Sequence, residues 1–258
     1  MPRFRLSLEY DGTDFLGWQV QAPGARTVQG TLESAATLLF GQPVAVTGAG
    51  RTDAGVHAEG QVASLAADTG LDGREIRKAL NAGLPGDLVV LSCRPAADGF
   101  DPRRDARSKL YRYQFWNGPE RSPLRRRRWY RVPGTLDVDA MGRAARAFEG
   151  HHDFASLQST GSSVRSTARS LSCCKVVAAG GEIRLFVEGS GFLRHMIRTL
   201  AGTLLQVGQG RRTADSMAGL LAAADRASAG PTAPAHGLTL VAVRYPGDGD
   251  DSVVNPGA

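Results

Sequence analysis

Arg3-Phe4-Arg5-Leu6-Ser7-Leu8-Glu9-Tyr10 alternates without a break. Phe4, Leu6, Leu8 and Tyr10 fall on one side, and Arg5, Ser7 and Glu9 on the other, the period-two pattern of a strand with one buried face. Further along the chain, Thr27 precedes Val28, Leu32, Ala35, Ala36 and Leu39, which predicts a capped helix reaching about residue 40. Residues 43–47 and 61–67 read as short strands. Asp72 caps a predicted helix through about residue 81, and residues 88–92 close the series with a strand. The order β-α-β-β-α-β is the split arrangement of ferredoxin-like domains.

The second half repeats that order. Residues 109–116 read as a strand. Asp137 caps a predicted helix ending near residue 149, with Gly150 as its stop. Residues 170–178 and 182–188 form a predicted hairpin around Gly180-Gly181. A long helix over 192–207 carries Leu193, Met196, Ile197, Leu200 and Leu204 on its apolar face, an extra helix is predicted over 214–224, and residues 238–245 give the closing strand. The expected fold is α+β, two ferredoxin/RRM-like halves with mainly antiparallel sheets, residues 1–105 and 106–245. A cleft between the halves is the natural place for a large ligand. Residues 246–258, rich in Gly and Asp, are expected to be a disordered tail.

Composition narrows the function classes. Of 258 residues 42% are hydrophobic and 22% charged, enough to build a core and against disorder over most of the length. Apolar stretches stop well short of the roughly 20 residues a bilayer requires. The first residues run straight into the strand pattern with no apolar signal core, so a cytoplasmic, membrane-free protein is expected. Cys93, Cys173 and Cys174 contain no Cys-x-x-Cys pair, which argues against a disulfide framework and a zinc site. Adjacent His151 and His152 do not share a helix face, and no Gly-Lys-Ser/Thr phosphate loop occurs. No metal or nucleotide cofactor is expected.

The net charge of +6 is unevenly spread. Residues 103–131 alone carry +9, so the remainder sums to −3. Arg107, Lys109, Arg112, Arg125 and Arg126 lie in this strip, interleaved with Tyr111, Tyr113, Phe115, Trp116, Trp129 and Tyr130. Arginines pair with phosphates and aromatic rings stack on bases, so the strip reads as a nucleic-acid surface. The plainer alternative is a solvated arginine-rich loop.

One loop concentrates candidate chemistry: Gly48-Ala49-Gly50-Arg51-Thr52-Asp53-Ala54-Gly55-Val56-His57. Its small residues let a backbone approach a ligand closely. A carboxylate buried there needs a positive partner, which Arg51 supplies, and then serves as nucleophile or base. A turn with a surface ion pair fits these residues equally well. The glycines do not make a dinucleotide fingerprint, because Asp53 stands where the third glycine belongs and a strand follows. His57 reads as a polar residue on the rim, without a role.

Residues 50–57, followed by Gly60-Gln61-Val62, resemble the signature of the TruA family of tRNA pseudouridine synthases. The resemblance continues through Tyr10-Asp11-Gly12, Gly17-Trp18-Gln19, residues 81–87, Tyr111-Arg112-Tyr113, Asp153-Phe154-Ala155-Ser156, residues 191–198, and Ala233-Pro234 to Gly237-Leu238. It implies an isomerase that detaches uracil from C1′ of a tRNA uridine, rotates it and rejoins it through C5, at positions 38–40 of the anticodon stem-loop. It implies Asp53 as the catalytic carboxylate, with Arg51 beside it in the signature. Arg198 aligns with the arginine that pairs with the aspartate, and Tyr111 with the tyrosine that stacks on the base and is implicated in proton transfer. A homodimer with tRNA as its partner is also implied. The strip at 103–131 would then grip phosphates, and the target base would leave the stack.

Two rival classes explain less. A non-catalytic pair of RRM-like halves accounts for the basic aromatic strip but not for an Arg/Asp pair on a glycine-rich turn. A metal-dependent nuclease needs several converging carboxylates, and only Asp53 can be placed.

Overall fold

The structure, a computed structural model, describes residues 1–21, 24–159, 161 and 164–248. The part of the expected tail from residue 249 onward lies outside the described residues. The chain is mixed α+β with mainly antiparallel sheet pairing. It divides into two compact units, Met1–Arg107 with Thr239–Pro246, and a second containing Ser108–Leu238.

The first unit contains β1 (Arg3–Tyr10), α1 (Val28–Phe40), β2 (Val46–Gly48), β3 (His57–Ala66), α2 (Gly73–Gly83) and β4 (Leu88–Pro95), and takes in most of β10 (Leu238–Arg244). Its strands lie in the order β4-β1-β3-β10, with β2 also pairing with β3. The alternation of β1 becomes burial on one side, where Phe4, Leu6, Leu8 and Tyr10 are all buried. Each fully buried large apolar side chain contributes about 1.5–3 kcal/mol. β1 pairs antiparallel with both β3 and β4, through Leu6↔Ala63 and Leu6↔Cys93. The Thr27 hydroxyl caps α1 by accepting the Gly30 N–H, and Gly41 ends that helix at φ 69°. Asp72 and Glu75 form a reciprocal capping box on α2, each such cap supplying about 1 kcal/mol. Chain order assigns the closing strand to the second half. It also pairs in parallel with β3, Thr239↔His57 and Leu240↔Ala58, because the start of β3 extends past β2 and offers its backbone groups there.

The second unit is built from β5 (Ser108–Trp116), β6 (Tyr130–Arg131), α3 (Val138–Arg146), β7 (Gly150–Asp153), β8 (Ala168–Ala179), β9 (Glu182–Gly189), α4 (Met196–Gly208) and α5 (Met217–Ala223). Its strands run β5-β9-β8-β7, and β6 pairs in parallel with β5. Gly180 and Gly181 turn the β8–β9 hairpin with φ of 57° and 84°, which matches the twist of the flanking strands. Three helices differ from expectation. α3 ends at Arg146, short of residue 149, and Gly150 opens β7 by pairing with Leu171 of β8. α4 starts at Met196 and not at residue 192, because His195 takes a left-handed φ of 60° and its ring Nδ1 bonds the Ser159 hydroxyl at 2.8 Å. The predicted helix over 214–224 is a 3₁₀ turn, Ala214–Ser216, followed by the short α5.

Candidate active site

Residues 49–56 join β2 to β3, and almost every stretch of this loop is tied down. The Ala49 N–H donates to the Val62 carbonyl at 2.8 Å, and the Gln61 amide donates to the Gly50 carbonyl at 2.8 Å. The Thr52 hydroxyl meets the Tyr10 hydroxyl at 2.9 Å, and the Thr52 carbonyl accepts the Trp18 N–H at 3.0 Å. The Gly55 N–H reaches the Phe15 carbonyl at 3.4 Å, and the Val56 N–H returns to the Asp53 carbonyl at 3.1 Å. Two glycines allow this seating. A Cβ on Gly17, whose φ is +90°, would lie 2.7 Å from the Thr52 carbonyl oxygen, and one on Gly48 would lie 2.4 Å from the Trp18 indole. Asp53 is half-buried on this base, between buried Thr52 and exposed Ala54, and Arg51 is exposed.

Burial pushes the Tyr10 phenol up to about 12, partly offset by its bonds to Thr52 and Gln61. It stays protonated at neutral pH and acts as a fixed hydrogen-bonding strut. The segment it helps hold, residues 11–18, is braced from outside by Arg26. That guanidinium grips both oxygens of Asp87 at 2.9 and 2.8 Å and lies 4.1 Å over the Phe15 ring. Tyr10, Trp18 and Gln61 fall in stretches that carry the family resemblance, but their residue types do not mark them as struts of this loop. The spacing of Tyr10, Trp18 and Gln61 around the loop is a product of strand pairing.

His57 departs from the sequence reading. It is fully buried, not on the rim. Its Nδ1 accepts the Gly12 N–H at 3.1 Å. It opens β3, where the strand pairing sets it opposite Thr239 of β10.

The second unit carries the other candidates. Tyr111 is buried on β5 and meets Phe192 edge-on, with centroids 5.2 Å apart. Arg198, on the first turns of α4, donates from Nε to the Ala233 carbonyl at 2.8 Å, while the Ala233 N–H donates back to the Arg198 carbonyl at 3.0 Å. The Tyr113 hydroxyl donates to the Pro234 carbonyl at 2.8 Å. Burial pushes the Tyr113 phenol well up, and the positive charge of Arg198 pulls it partly back. Arg198 and Tyr113 therefore hold residues 233–234 from two sides, a role no local pattern announces.

The basic candidates fall into different settings. Arg107 and Arg126 are exposed, and Arg126 donates to the Pro123 carbonyl at 3.1 Å. Arg112 is half-buried and donates to Gln114 at 2.9 Å, while Lys109 is buried. Arg125 bonds Glu182 at 2.6 Å and lies 4.4 Å over the Trp116 ring. Arg184 also binds Glu182 and sits 5.5 Å over Trp129. Among the described residues there is no group of three or more His, Cys, Asp or Glu placed to hold a metal.

Comparison with known proteins adds independent findings. The family described as "tRNA pseudouridine synthase" matches residues 7–103 and 144–246. The chain is 43% identical over 245 residues to tRNA pseudouridine synthase A of Geotalea uraniireducens, covering 95% of this chain and 100% of that one. It is 49% identical over 251 residues to the protein of that name from Solidesulfovibrio magneticus, covering 95% and 92%. With its namesake from Myxococcus xanthus it shares 45% identity over 246 residues, again covering 95% and 92%.

Proposed function

Because this chain belongs to the tRNA pseudouridine synthase family, we propose that it isomerises uridine to pseudouridine in tRNA, with Asp53 as the catalytic carboxylate. The observation that carries the assignment is the seating of the Asp53 loop. A carboxylate on a chain segment bonded to Tyr10, Phe15, Trp18, Gln61 and Val62 is held with the precision that attack on a defined atom requires. A surface ion pair on an ordinary turn needs no such support.

In the reaction the C1′–N1 bond breaks, the uracil turns, a C1′–C5 bond forms, the C5 proton leaves to a base and N1 takes up a proton. Atoms and electrons balance within the nucleotide. Asp53 either attacks the ribose or assists the cleavage as a base. Arg51 and Arg198 are assigned to keep it ionised and oriented, and Tyr111 to stack on the detached ring and take the C5 proton. Arg107, Lys109, Arg112, Arg125 and Arg126 are assigned to the tRNA backbone. The exposed Arg107 and Arg126 suit that task best, and Arg125 is already engaged by Glu182.

Uridines 38–40 of the anticodon arm, a homodimeric state and a cytoplasmic setting complete the proposal by family resemblance. So does the finer reading of the fold as two ferredoxin-like halves. The strand order β4-β1-β3 with β2 beyond it supports that reading in the first unit.

The decisive experiment is Asp53→Asn. Asn is nearly isosteric, so fold and tRNA affinity should persist while tritium release from 5-tritiated uridine in tRNA stops. Substantial release by this variant would remove Asp53 from the mechanism. Tight tRNA binding by the native protein, with no release from any tRNA, would favour a binding module.

A further inference from the structure

The reaction proposed above leaves one buried polar ring unused. We propose that His57 is a positioning residue for the loop that carries Asp53, a neutral imidazole whose Nδ1 accepts the Gly12 N–H and locks the end of that loop against residues 11–18. The inference rests on the reading of Asp53 as the catalytic carboxylate.

His57 Nδ1 lies 3.1 Å from the Gly12 nitrogen and also 3.1 Å from Asp11 Oδ1. The two neighbours ask for opposite protonation, since Nδ1 must offer a lone pair to the first and a proton to the second. The backbone donor decides. Gly12 N–H is directed at the ring and has no freedom to turn away, whereas Asp11 Oδ1 already accepts the Thr13 N–H at 3.0 Å and the Thr13 hydroxyl at 2.6 Å. Those bonds account for the position of the Asp11 carboxylate without help from His57. Nδ1 is therefore an acceptor.

The bond matters because of where Gly12 sits. A Cβ on Gly12 would stand 2.0 Å from the Val56 carbonyl oxygen, so the two backbones are in direct contact. The Val56 N–H in turn closes the turn onto the Asp53 carbonyl. The ring of His57 thus fixes Gly12, Gly12 abuts Val56, and Val56 holds the residue whose side chain is assigned the chemistry. A shift of about 1 Å at a reacting group costs on the order of a hundredfold in rate, so this buttress should appear in turnover and not in tRNA affinity.

The test compares His57→Asn with His57→Gln in the full-length protein, by tritium release with kcat and KM separated, a filter-binding titration and a melting curve. The Asn Oδ1 stands where Nδ1 stands, whereas the Gln oxygen lies one bond further out. Asn should keep most of the native kcat, and Gln should lose about tenfold or more at unchanged KM, as expected when a buried donor is left without its acceptor. Asp11→Asn keeps an oxygen for Thr13 and should also stay near native. Equal losses for Asn and Gln, or a His57→Asn protein that does not fold, would overturn the proposal. A loss at Asp11→Asn as large as that at His57→Gln would overturn it too, by making the ring an imidazolium paired with Asp11. Asp53→Asn is run alongside. Activity in that variant removes the reading of Asp53 and this inference with it, whereas an inert Asp53→Asn with indistinguishable His57 variants removes this inference alone.

Discussion

Residues 49–56 carry one arginine and one aspartate among small side chains, whereas residues 121–131 carry six arginines with Trp129 and Tyr130. The first segment is held almost entirely by hydrogen bonds from backbone and buried hydroxyl or amide groups. The second has backbone turns at residues 122–129 and the β6–β5 pairing, and its side chains add guanidinium groups lying over indole rings and one shared carboxylate, Glu182. Directional bonds, strengthened where they are shielded from water, restrict position more than undirected contacts do. Cation–π contacts and half-exposed ion pairs contribute about 0.5–1 kcal/mol each and tolerate sliding. The difference matches the two tasks proposed: a reacting carboxylate needs a fixed position, and phosphate binding needs charge that can adjust.

Tyr111 lies inside the basic stretch by sequence but is buried like the loop's own struts, so it tests where the division falls. Tyr111→Phe should bind tRNA normally and lose about a hundredfold or more in turnover, the usual worth of a general acid–base group. A fully active Phe variant would leave this position a stacking platform only. Gly17→Ala attacks the loop's seat directly, by placing a methyl group against the Thr52 carbonyl in a left-handed backbone position. It should lower stability by about 1–3 kcal/mol and turnover by about tenfold, read by melting and single-turnover kinetics. An unperturbed variant would show that the loop yields more easily than its bonding suggests.

The arginine segment should respond differently. Arg126→Ala with Arg127→Ala should flatten the plot of log affinity against log salt by roughly 0.7–0.9 for each phosphate no longer neutralised, with little change in kcat. Arg125→Ala should alter that slope less and the melting temperature more, because its guanidinium is engaged by Glu182 and Trp116. Equal slopes for all three positions would erase the distinction between a brace and a grip. The smallest effect is expected from EDTA: turnover should be unchanged, since an internal rearrangement needs no Lewis acid. Activity that disappears on chelation and returns with one divalent metal would overturn the mechanism.

Much of the fold is legible in the sequence alone. The alternation of residues 3–10, the Thr27, Asp72 and Asp137 caps and the Gly180-Gly181 turn depend on neighbours within a few residues, and each appears where local physics places it. The candidate loop at 48–57 is visible as an unusual mixture of small and charged residues. Its supports Tyr10, Trp18 and Gln61 fall in stretches that carry the family resemblance, but their task of holding the loop is visible only once the fold brings them to it.

The sequence by itself determined the longer strands, most helix boundaries, the uneven charge and the family, but not the short strands β6 and β7. Only the tertiary structure decided that His57 is buried against Gly12, that β10 pairs with the start of β3, and that α4 waits until His195 has turned. Each of these depends on a partner distant in the chain, 45 residues away for Gly12 and His57 and 36 for Ser159 and His195. A histidine has the same local pattern whether water or a backbone N–H meets its ring. Which one does is settled by long-range packing, because a buried lone pair must find a donor and only the folded chain brings one there.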